Sequence, residues 1–205
     1  MDIHPRRLNI LDCFSGYGGF ALGLRLAYPD ASFRTVAYIE WDKYCQQVIQ
    51  ARIGDRLLDD APIWGGDIRE FNGKLWRGTV DIVTASFPCQ PFSNAGKREG
   101  EFDSKGRNLW PDTLRIIREV APRTGVLLEN VPGILVRPDD GREAYGGTVV
   151  GELAEIGYDA EWRVVSAADA GAPHLRNRWW LLACPVEHSQ HDGLPLSQEP
   201  ASVGP

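Results

Sequence analysis

The feature that most constrains the fold is a glycine-rich turn near the start of the chain, between an apolar run and an amphipathic stretch. The apolar run, residues 8–13, is typical of a buried strand, and glycines follow at positions 16, 18 and 19. Glycine permits positive φ angles and a close approach of the backbone to a ligand, and a helix beyond the turn presents free N–H groups. The spacing differs from the dinucleotide-binding fingerprint, so a cofactor site and a purely structural turn remain equally open.

Strand and helix patterns alternate along the rest of the chain. The predicted strands are 9–13, 34–40, 80–86, 125–130, 160–166 and 179–184, and the predicted helices are 18–28, 42–53, 108–120 and 146–157. This alternation predicts an α/β fold with a doubly wound, mostly parallel sheet. With 205 residues, 43% of them apolar, the chain can bury one core, so we expect one domain over residues 8–185. Residues 186–205 are polar and rich in Gly, Pro and Ser, which predicts a flexible tail.

Carboxylates stand where predicted strands end. Glu40 ends the second strand roughly 20 residues after the glycine turn, where a carboxylate can accept ribose hydroxyl protons. Asp67 follows a glycine pair and is suited to accept a hydrogen bond from an adenine amino group. Ligands of open α/β sheets bind outside the carboxyl ends of the strands, so we expect four side chains on one rim: Asp12, Glu40, Cys89 and Glu129. The alternatives are solvated acids and, for Glu129, a helix cap or an ion-pair partner.

One cysteine lies between two prolines in the segment Ser-Phe-Pro-Cys-Gln-Pro-Phe-Ser, residues 86–93. Pro88 and Pro91 fix their own φ angles and restrict the residues before them, so Cys89 is predicted on a stiff turn. A thiol held in this way is typical of a nucleophile. The alternative is a buried structural cysteine, which is common for this residue type.

These segments together resemble the DNA (cytosine-5)-methyltransferase family, which uses S-adenosylmethionine as methyl donor. The resemblance covers about residues 8–184 and rests on six segments in order: Asp12 to Gly19, Glu40, Asp67, Phe87 to Ser93, Glu129-Asn130-Val131 and Arg176-Asn177-Arg178. The proline-cysteine and Glu-Asn-Val segments are the most specific of them. The resemblance implies a Rossmann-like fold of the S-adenosylmethionine-dependent methyltransferase type.

The resemblance also implies roles for individual residues. Cys89 would add to carbon 6 of cytosine, Glu129 would donate a hydrogen bond or proton to ring nitrogen 3, and Arg178 would hold the carbonyl oxygen of the base. Arg176 would steer the thiolate or the phosphates, although a solvated basic turn is the alternative for both arginines. The implied cofactor-binding residues are Asp12, Phe14, Ser15, Gly16, Gly18, Gly19, Glu40, Trp41, Asp67, Ile68, Pro88 and Leu109.

The substrate implied by the resemblance is double-stranded DNA, with the target base flipped into the pocket. Residues 94–108 form a charged, glycine-spaced segment that fits a mobile lid. The implied DNA contacts are Ser93, Lys97, Arg98 and Arg107. A plain solvated loop is an equal alternative, because acidic residues in the same segment dilute its positive field.

The family's target-recognition region and final helix have no counterpart after the paired arginines, so we expect a gene fragment, a split enzyme with its recognition part on a second chain, or a compact phage-type form. His174 also stands where the family usually has glutamine. Two other functions stay open: an S-adenosylmethionine-binding subunit without catalysis, and a transfer RNA cytosine-5 methyltransferase. Intact Cys89, Glu129 and Arg178 argue against the first, and competition between substrates would separate the second.

Composition also bears on DNA affinity, on zinc binding and on the location of the protein. The net charge of −6 argues against strong non-specific DNA affinity and leaves DNA binding to a local basic patch or to a part outside this sequence. The cysteines at positions 13, 45, 89 and 184 show no paired spacing for zinc. No apolar run reaches transmembrane length and the first residues lack an apolar signal core, so we expect a cytoplasmic protein.

Overall fold

The structure, a computed structural model, describes residues 6–28, 32–88, 108–137, 141 and 143–188. Within them the strands are β1 Leu8–Cys13, β2 Phe33–Ile39, β3 Ile63–Trp64, β4 Ile82–Ala85, β5 Gly125–Asn130, β6 Tyr158–Val165 and β7 Arg178–Pro185. The helices are α1 Gly19–Ala27, α2 Lys43–Gly54, α3 Trp110–Val120 and α4 Tyr145–Glu155. Short 3-10 turns span Ile68–Glu70, Gly73–Trp76, Pro132–Leu135 and Val186–His188.

The strands form one sheet in the order β3-β2-β1-β4-β5-β7-β6. The five strands from β3 to β5 run parallel, and β7 is antiparallel to both β5 and β6. The chain winds outward from β1 to β3 and then returns to the other side of β1 with β4. The carboxyl ends of β1 and β4 therefore border the switch point at which such sheets bind ligands.

Apolar side chains cover both faces of the sheet. In β2, Ala37 and Ile39 belong to the larger core cluster, while Tyr38, between them in sequence, belongs to a smaller one. Because successive strand residues point to opposite faces, the two clusters lie on opposite sides of the sheet. The larger cluster takes buried residues of α3 and α4, and the smaller one packs Ala21 of α1 and Ile49 of α2.

The doubly wound, mostly parallel sheet predicted from the sequence is confirmed. Every predicted strand and helix is present, with ends that differ by at most two residues from those predicted. The sequence patterns missed β3, which has only two residues. The segment predicted as a tail also begins with structure, because Val186–His188 is a 3-10 turn in which Val186 N donates to Gly157 O over 2.9 Å. Residues 189–205 lie outside the described residues.

The described helices include none that is both long and apolar enough to span a membrane. In the same part of the chain, no group of three or more His, Cys, Asp or Glu side chains is arranged to hold a metal ion.

Candidate functional site

The glycine turn after β1 is tied to the end of β2 through one carboxylate. Gly16 N donates to Glu40 Oε2 over 2.7 Å, and Asp42 N donates to Glu40 Oε1 over 2.7 Å. Gly16 has φ +54° and Gly18 has φ +81°, conformations that favour glycine. A β-carbon on Gly18 would also lie 2.6 Å from Leu58 Cδ1. The turn and Glu40 therefore form one unit at the carboxyl edge of the sheet.

A cavity of about 660 Å³ opens beside this turn. The lining residues are Phe14, Ser15, Gly16, Tyr17, Gly19, Phe20, Gly23, Leu24, Ser86, Leu127, Glu129, Arg176, Arg178 and Trp180. Four predicted cofactor residues and three predicted catalytic residues thus line one cavity. A β-carbon on Gly16 or on Gly19 would meet no atom within 4 Å, so the turn leaves open space on the cavity side.

Glu129, near the end of β5, carries the polar chemistry of the cavity wall. Its Oε1 pairs with Arg178 Nε at 2.7 Å, and its Oε2 accepts a short hydrogen bond from Ser86 Oγ. The antiparallel register places Trp180 of β7 opposite Glu129, which brings Arg178 at the start of β7 to the same edge. The Glu129 side chain is 16% exposed, so the charge-assisted pair is largely sheltered from water yet open to the cavity.

Asn130 anchors the segment that leads to the proline-cysteine turn. Its Nδ2 donates to Phe87 O over 3.1 Å, and its Oδ1 accepts from Val131 N over 2.9 Å. Phe87 is buried, so backbone and side chain together fix the chain just before Pro88. Cys89 follows Pro88 but lies outside the described residues, as do residues 94–107 of the lid predicted over 94–108.

The position of Asp12 differs from the expected one. Its side chain is fully buried, and Thr84 Oγ1 of β4 donates to Asp12 Oδ1 over 2.5 Å. Within the described part of the chain Asp12 Oδ2 has no hydrogen-bond partner, and burial raises the carboxyl pKa from 3.8 to about 7. The carboxyl group of Asp12 therefore lies against β4, and Asp12 is not among the residues that line the cavity.

The remaining predicted cofactor residues are not among those that line the cavity. Trp41 is 67% exposed just after β2, whereas Ile68 is buried in the larger core cluster. Asp67 precedes the Ile68–Glu70 turn, and its Oδ1 accepts from Arg69 N over 3.0 Å. Gly18 packs on Leu58, and Pro88 and Leu109 are partly buried.

Arg176 is exposed at the cavity wall, and its carbonyl oxygen accepts from Ala167 N over 3.2 Å. The predicted DNA contacts Ser93, Lys97, Arg98 and Arg107 all lie outside the described residues.

Sequence reasoning missed several residues that shape this site. Ser86, Asn130 and Thr84 make their contacts with partners 43 to 72 positions away. Phe20 and Trp180 close one side of the cavity with ring centroids 5.7 Å apart in an edge-to-face arrangement. Asn130 lies inside one of the two most specific sequence segments and Ser86 immediately precedes the other, and that position was the only signal available for them.

Comparison with known proteins agrees with this geometry. The sequence profile of the C-5 cytosine-specific DNA methylase family matches residues 8–201. Type II methyltransferase M.NgoMIV of Neisseria gonorrhoeae is 34% identical over 199 residues, which are 95% of this chain and 58% of that protein. Type II methyltransferase M.BsuFI of Bacillus subtilis is 37% identical over 172 residues, 84% of this chain and 38% of that protein.

Solved structures show the same fold. The crystal structure of a Spodoptera frugiperda DNMT2 variant matches with a TM-score of 0.68 at 18% identity, covering 96% of this chain and 56% of the other. S. pombe Dnmt2 methyltransferase matches with a TM-score of 0.64 at 21% identity, covering 88% of this chain and 50% of the other. The chain thus spans between 38% and 58% of the length of these four proteins.

Proposed function

Because the chain belongs to the C-5 cytosine-specific DNA methylase family, we propose that it carries the catalytic core for methyl transfer from S-adenosylmethionine to carbon 5 of cytosine in double-stranded DNA. The observation that supports this most strongly is Glu129, paired with Arg178 and bonded to Ser86 on the wall of the cavity that the glycine turn also lines. The turn suits a cofactor and the Glu129 pair suits a polar base, so one cavity has a place for each reactant.

The residues present fit the cofactor. The cavity volume of about 660 Å³ lies within the range of small-molecule sites, and the open space at Gly16 and Gly19 admits close backbone contact. We assign the ribose hydroxyls to Glu40, whose two oxygens already fix the turn and the start of α2. We assign the adenine amino group to Asp67. When bound, S-adenosylmethionine supplies an electrophilic methyl group.

Carbon 5 of cytosine is a poor nucleophile, so the proposed role of the protein is to activate the ring. The thiolate of Cys89 forms a bond to carbon 6, which moves negative charge onto the ring and makes carbon 5 nucleophilic. Glu129 stabilises that charge by a hydrogen bond or proton to ring nitrogen 3, while Arg178 orients Glu129 and holds the base carbonyl oxygen. After transfer, which leaves S-adenosylhomocysteine, the carbon-5 proton passes to water, its electron pair re-forms the double bond between carbons 5 and 6, and the thiolate is expelled from carbon 6.

Sequence selection is assigned to a segment outside residues 8–185, on the same protein or on a second chain. The chain covers 58% of the Neisseria gonorrhoeae relative, and part of that relative has no counterpart in it. Both relatives described above are named type II methyltransferases, and we propose the same class for this protein.

Transfer of labelled methyl from S-adenosylmethionine to unmethylated mixed-sequence duplex DNA tests the proposal. We expect labelling by the wild-type chain, none by Cys89→Ala, and unchanged binding of S-adenosylhomocysteine by that variant. Cys45→Ala is the matched control, because Cys45 is a half-buried thiol of α2 outside the cavity lining. Turnover by Cys89→Ala would contradict the nucleophile.

Two further experiments test whether duplex DNA is the substrate and whether a recognition region is needed. If the wild-type chain binds cofactor without labelling DNA, adding the target-recognition region of a relative as a separate chain should restore cysteine-dependent labelling. Label in transfer RNA and none in duplex DNA would show that the proposed substrate is wrong.

A further inference from the structure

One arginine of α3 is bonded to the backbone of the turn that follows Asp67. Arg115 Nη2 donates to Ile68 O over 2.9 Å and to Arg69 O over 3.3 Å, and Arg115 Nη1 donates to Phe71 O over 2.9 Å. These carbonyl groups belong to the 3-10 turn Ile68–Glu70 and the residue after it. A single planar guanidinium thus bonds three carbonyl oxygens of this segment, and one of them, Ile68 O, also accepts the turn's own hydrogen bond from Phe71 N over 3.2 Å.

Acidic neighbours on the same helix hold this guanidinium in place. Glu119 Oε2 lies 3.1 Å from Arg115 Nη1 and also accepts from Gly73 N over 2.9 Å. Asp112 Oδ1 lies 3.8 Å from Arg115 Nε. The Arg115 side chain is 32% exposed, so it is fixed by pairing on several sides and not by burial alone. The helix therefore clamps the backbone from Ile68 to Gly73.

The clamp determines where the carboxylate of Asp67 lies. Asp67 is the residue immediately before the turn, and Arg69 engages Asp67 Oδ1 through both its backbone N at 3.0 Å and its Nε at 3.2 Å. On the other side, Ile68 is anchored in the larger core cluster. A shift of the turn by a fraction of an ångström would move Asp67 by the same amount relative to Glu40 and the glycine turn, which belong to other elements.

We infer that Arg115 is a positioning residue for the cofactor: it fixes the turn so that Asp67 Oδ2 accepts a hydrogen bond from the adenine amino group. The inference rests on the proposed function and adds to it the residue that sets selectivity for adenine. A site built to bond an amino group discriminates strongly against a ligand that lacks it, provided that the acceptor is held in place.

The test compares binding of two probes by calorimetry: S-adenosylhomocysteine, and S-inosylhomocysteine, in which an oxo group replaces the adenine amino group. The variant is Arg115→Lys, which keeps the charge beside Glu119 and Asp112 but loses the planar fork. We expect its dissociation constant for S-adenosylhomocysteine to rise about 10-fold, which is typical of one lost hydrogen bond to a charged group. The dissociation constant for S-inosylhomocysteine should rise less than about 3-fold.

Arg118→Lys is the matched control, because Arg118 lies three residues further on α3 with an exposed side chain, and we expect no change in either constant. A second readout needs no ligand. Hydrogen exchange at the amides of Glu70 and Phe71 should accelerate in Arg115→Lys and stay unchanged in Arg118→Lys. A thermal unfolding midpoint close to that of the wild type establishes that the variant is folded.

The outcomes separate this inference from the proposed function. One outcome is that the wild type prefers S-adenosylhomocysteine and that Asp67→Ala abolishes this preference. If Arg115→Lys nevertheless retains the preference, then Arg115 does not position Asp67 and the inference is wrong. If the wild type binds both probes equally, or Asp67→Ala keeps the preference, the assignment of Asp67 in the proposed function fails as well. A chain that binds neither probe contradicts both.

Discussion

Asp12 is a carboxyl group that the fold buries, and among the residues that the structure describes only its Oδ1 has a hydrogen-bond partner. Its pKa is raised to about 7 from 3.8, mainly because burial disfavours the charged form. The folded state therefore holds this proton more tightly than the unfolded state does. The associated stability is fully present below pH 4 and is lost as the pH rises through about 7.

This predicts an unusual pH dependence of stability. Between pH 5 and pH 8 the contribution of Asp12 to the free energy of unfolding should fall by about 2 to 3 kcal/mol, since each pKa unit corresponds to about 1.4 kcal/mol. Asp12→Asn keeps an acceptor for Thr84 Oγ1 and cannot ionise, so its unfolding free energy should depend less on pH than that of the wild type. Urea titrations at pH 5, 6, 7 and 8 measure the difference.

Asp60→Asn is the control for this experiment, because Asp60 is an exposed acid of the same type. Parallel pH curves for the wild type and Asp12→Asn would mean that Asp12 is charged in the folded protein and that another partner compensates it.

At the residue scale, sequence reasoning identified Glu129 and Arg178 because their chemistry is visible in short segments. It did not find their contacts. The bond between Ser86 and Glu129 joins residues 43 apart, and only the pairing of β4 with β5 brings them together. Asp12 was expected on the rim because a sequence shows where a strand ends. The surroundings of its side chain depend on the neighbouring strand, which a sequence does not show.

At the scale of elements, the starts of β1, β4 and β5 are joined through Asp81. Both oxygens of Asp81 lie 2.8 Å from Arg6 Nη2, Asn9 N donates to Oδ2 over 2.8 Å, and Arg123 Nε donates to Oδ1 over 3.1 Å. Asp81 is buried, whereas the side chains of Arg6 and Arg123 are 58% and 44% exposed. If the carboxylate charge is removed, the side chains of both arginines are still accessible to water, which solvates their charges.

Asp81→Asn should therefore lower the free energy of unfolding by about 2 kcal/mol, below the range for breaking a fully buried pair. Guanidinium chloride titration at pH 7 measures it. Asp55→Asn removes an ion pair in which both side chains are about half exposed, and it should cost less than about 0.5 kcal/mol. Equal losses in the two variants would show that Asp81 does not join the three strands.

The elements themselves were largely predictable from sequence. Apolar runs of four to eight residues such as 125–130 identify strands, and the strong amphipathic pattern of residues 110–120 identifies α3. The strand β3 was missed because two residues give no periodicity, and it pairs only through Tyr38 and Ile39 of β2. The 3-10 turn at Val186–His188 was missed because it depends on a bond to Gly157, which local composition does not show.

At the scale of the whole molecule, the proposed cofactor would contact segments that follow three different strands: the turn after β1, Glu40 after β2 and Asp67 after β3. Unfolding separates all of them, so the unfolded chain retains no binding site. A ligand that binds only the folded state stabilises it by an amount set by its concentration relative to its dissociation constant.

S-adenosylhomocysteine at about 100 times its dissociation constant should stabilise the fold by about 2.7 kcal/mol, which raises the unfolding midpoint of a domain of this size by about 5 to 10 °C. Differential scanning fluorimetry over a ligand series measures the shift. Glu40→Gln keeps one acceptor oxygen but loses the charge and the second acceptor that hold Gly16 N and Asp42 N. Its shift at the same ligand concentration should be clearly smaller, whereas Asp60→Asn should match the wild type. A midpoint that stays constant while the ligand is raised a thousandfold would mean that the three segments do not form one cofactor site.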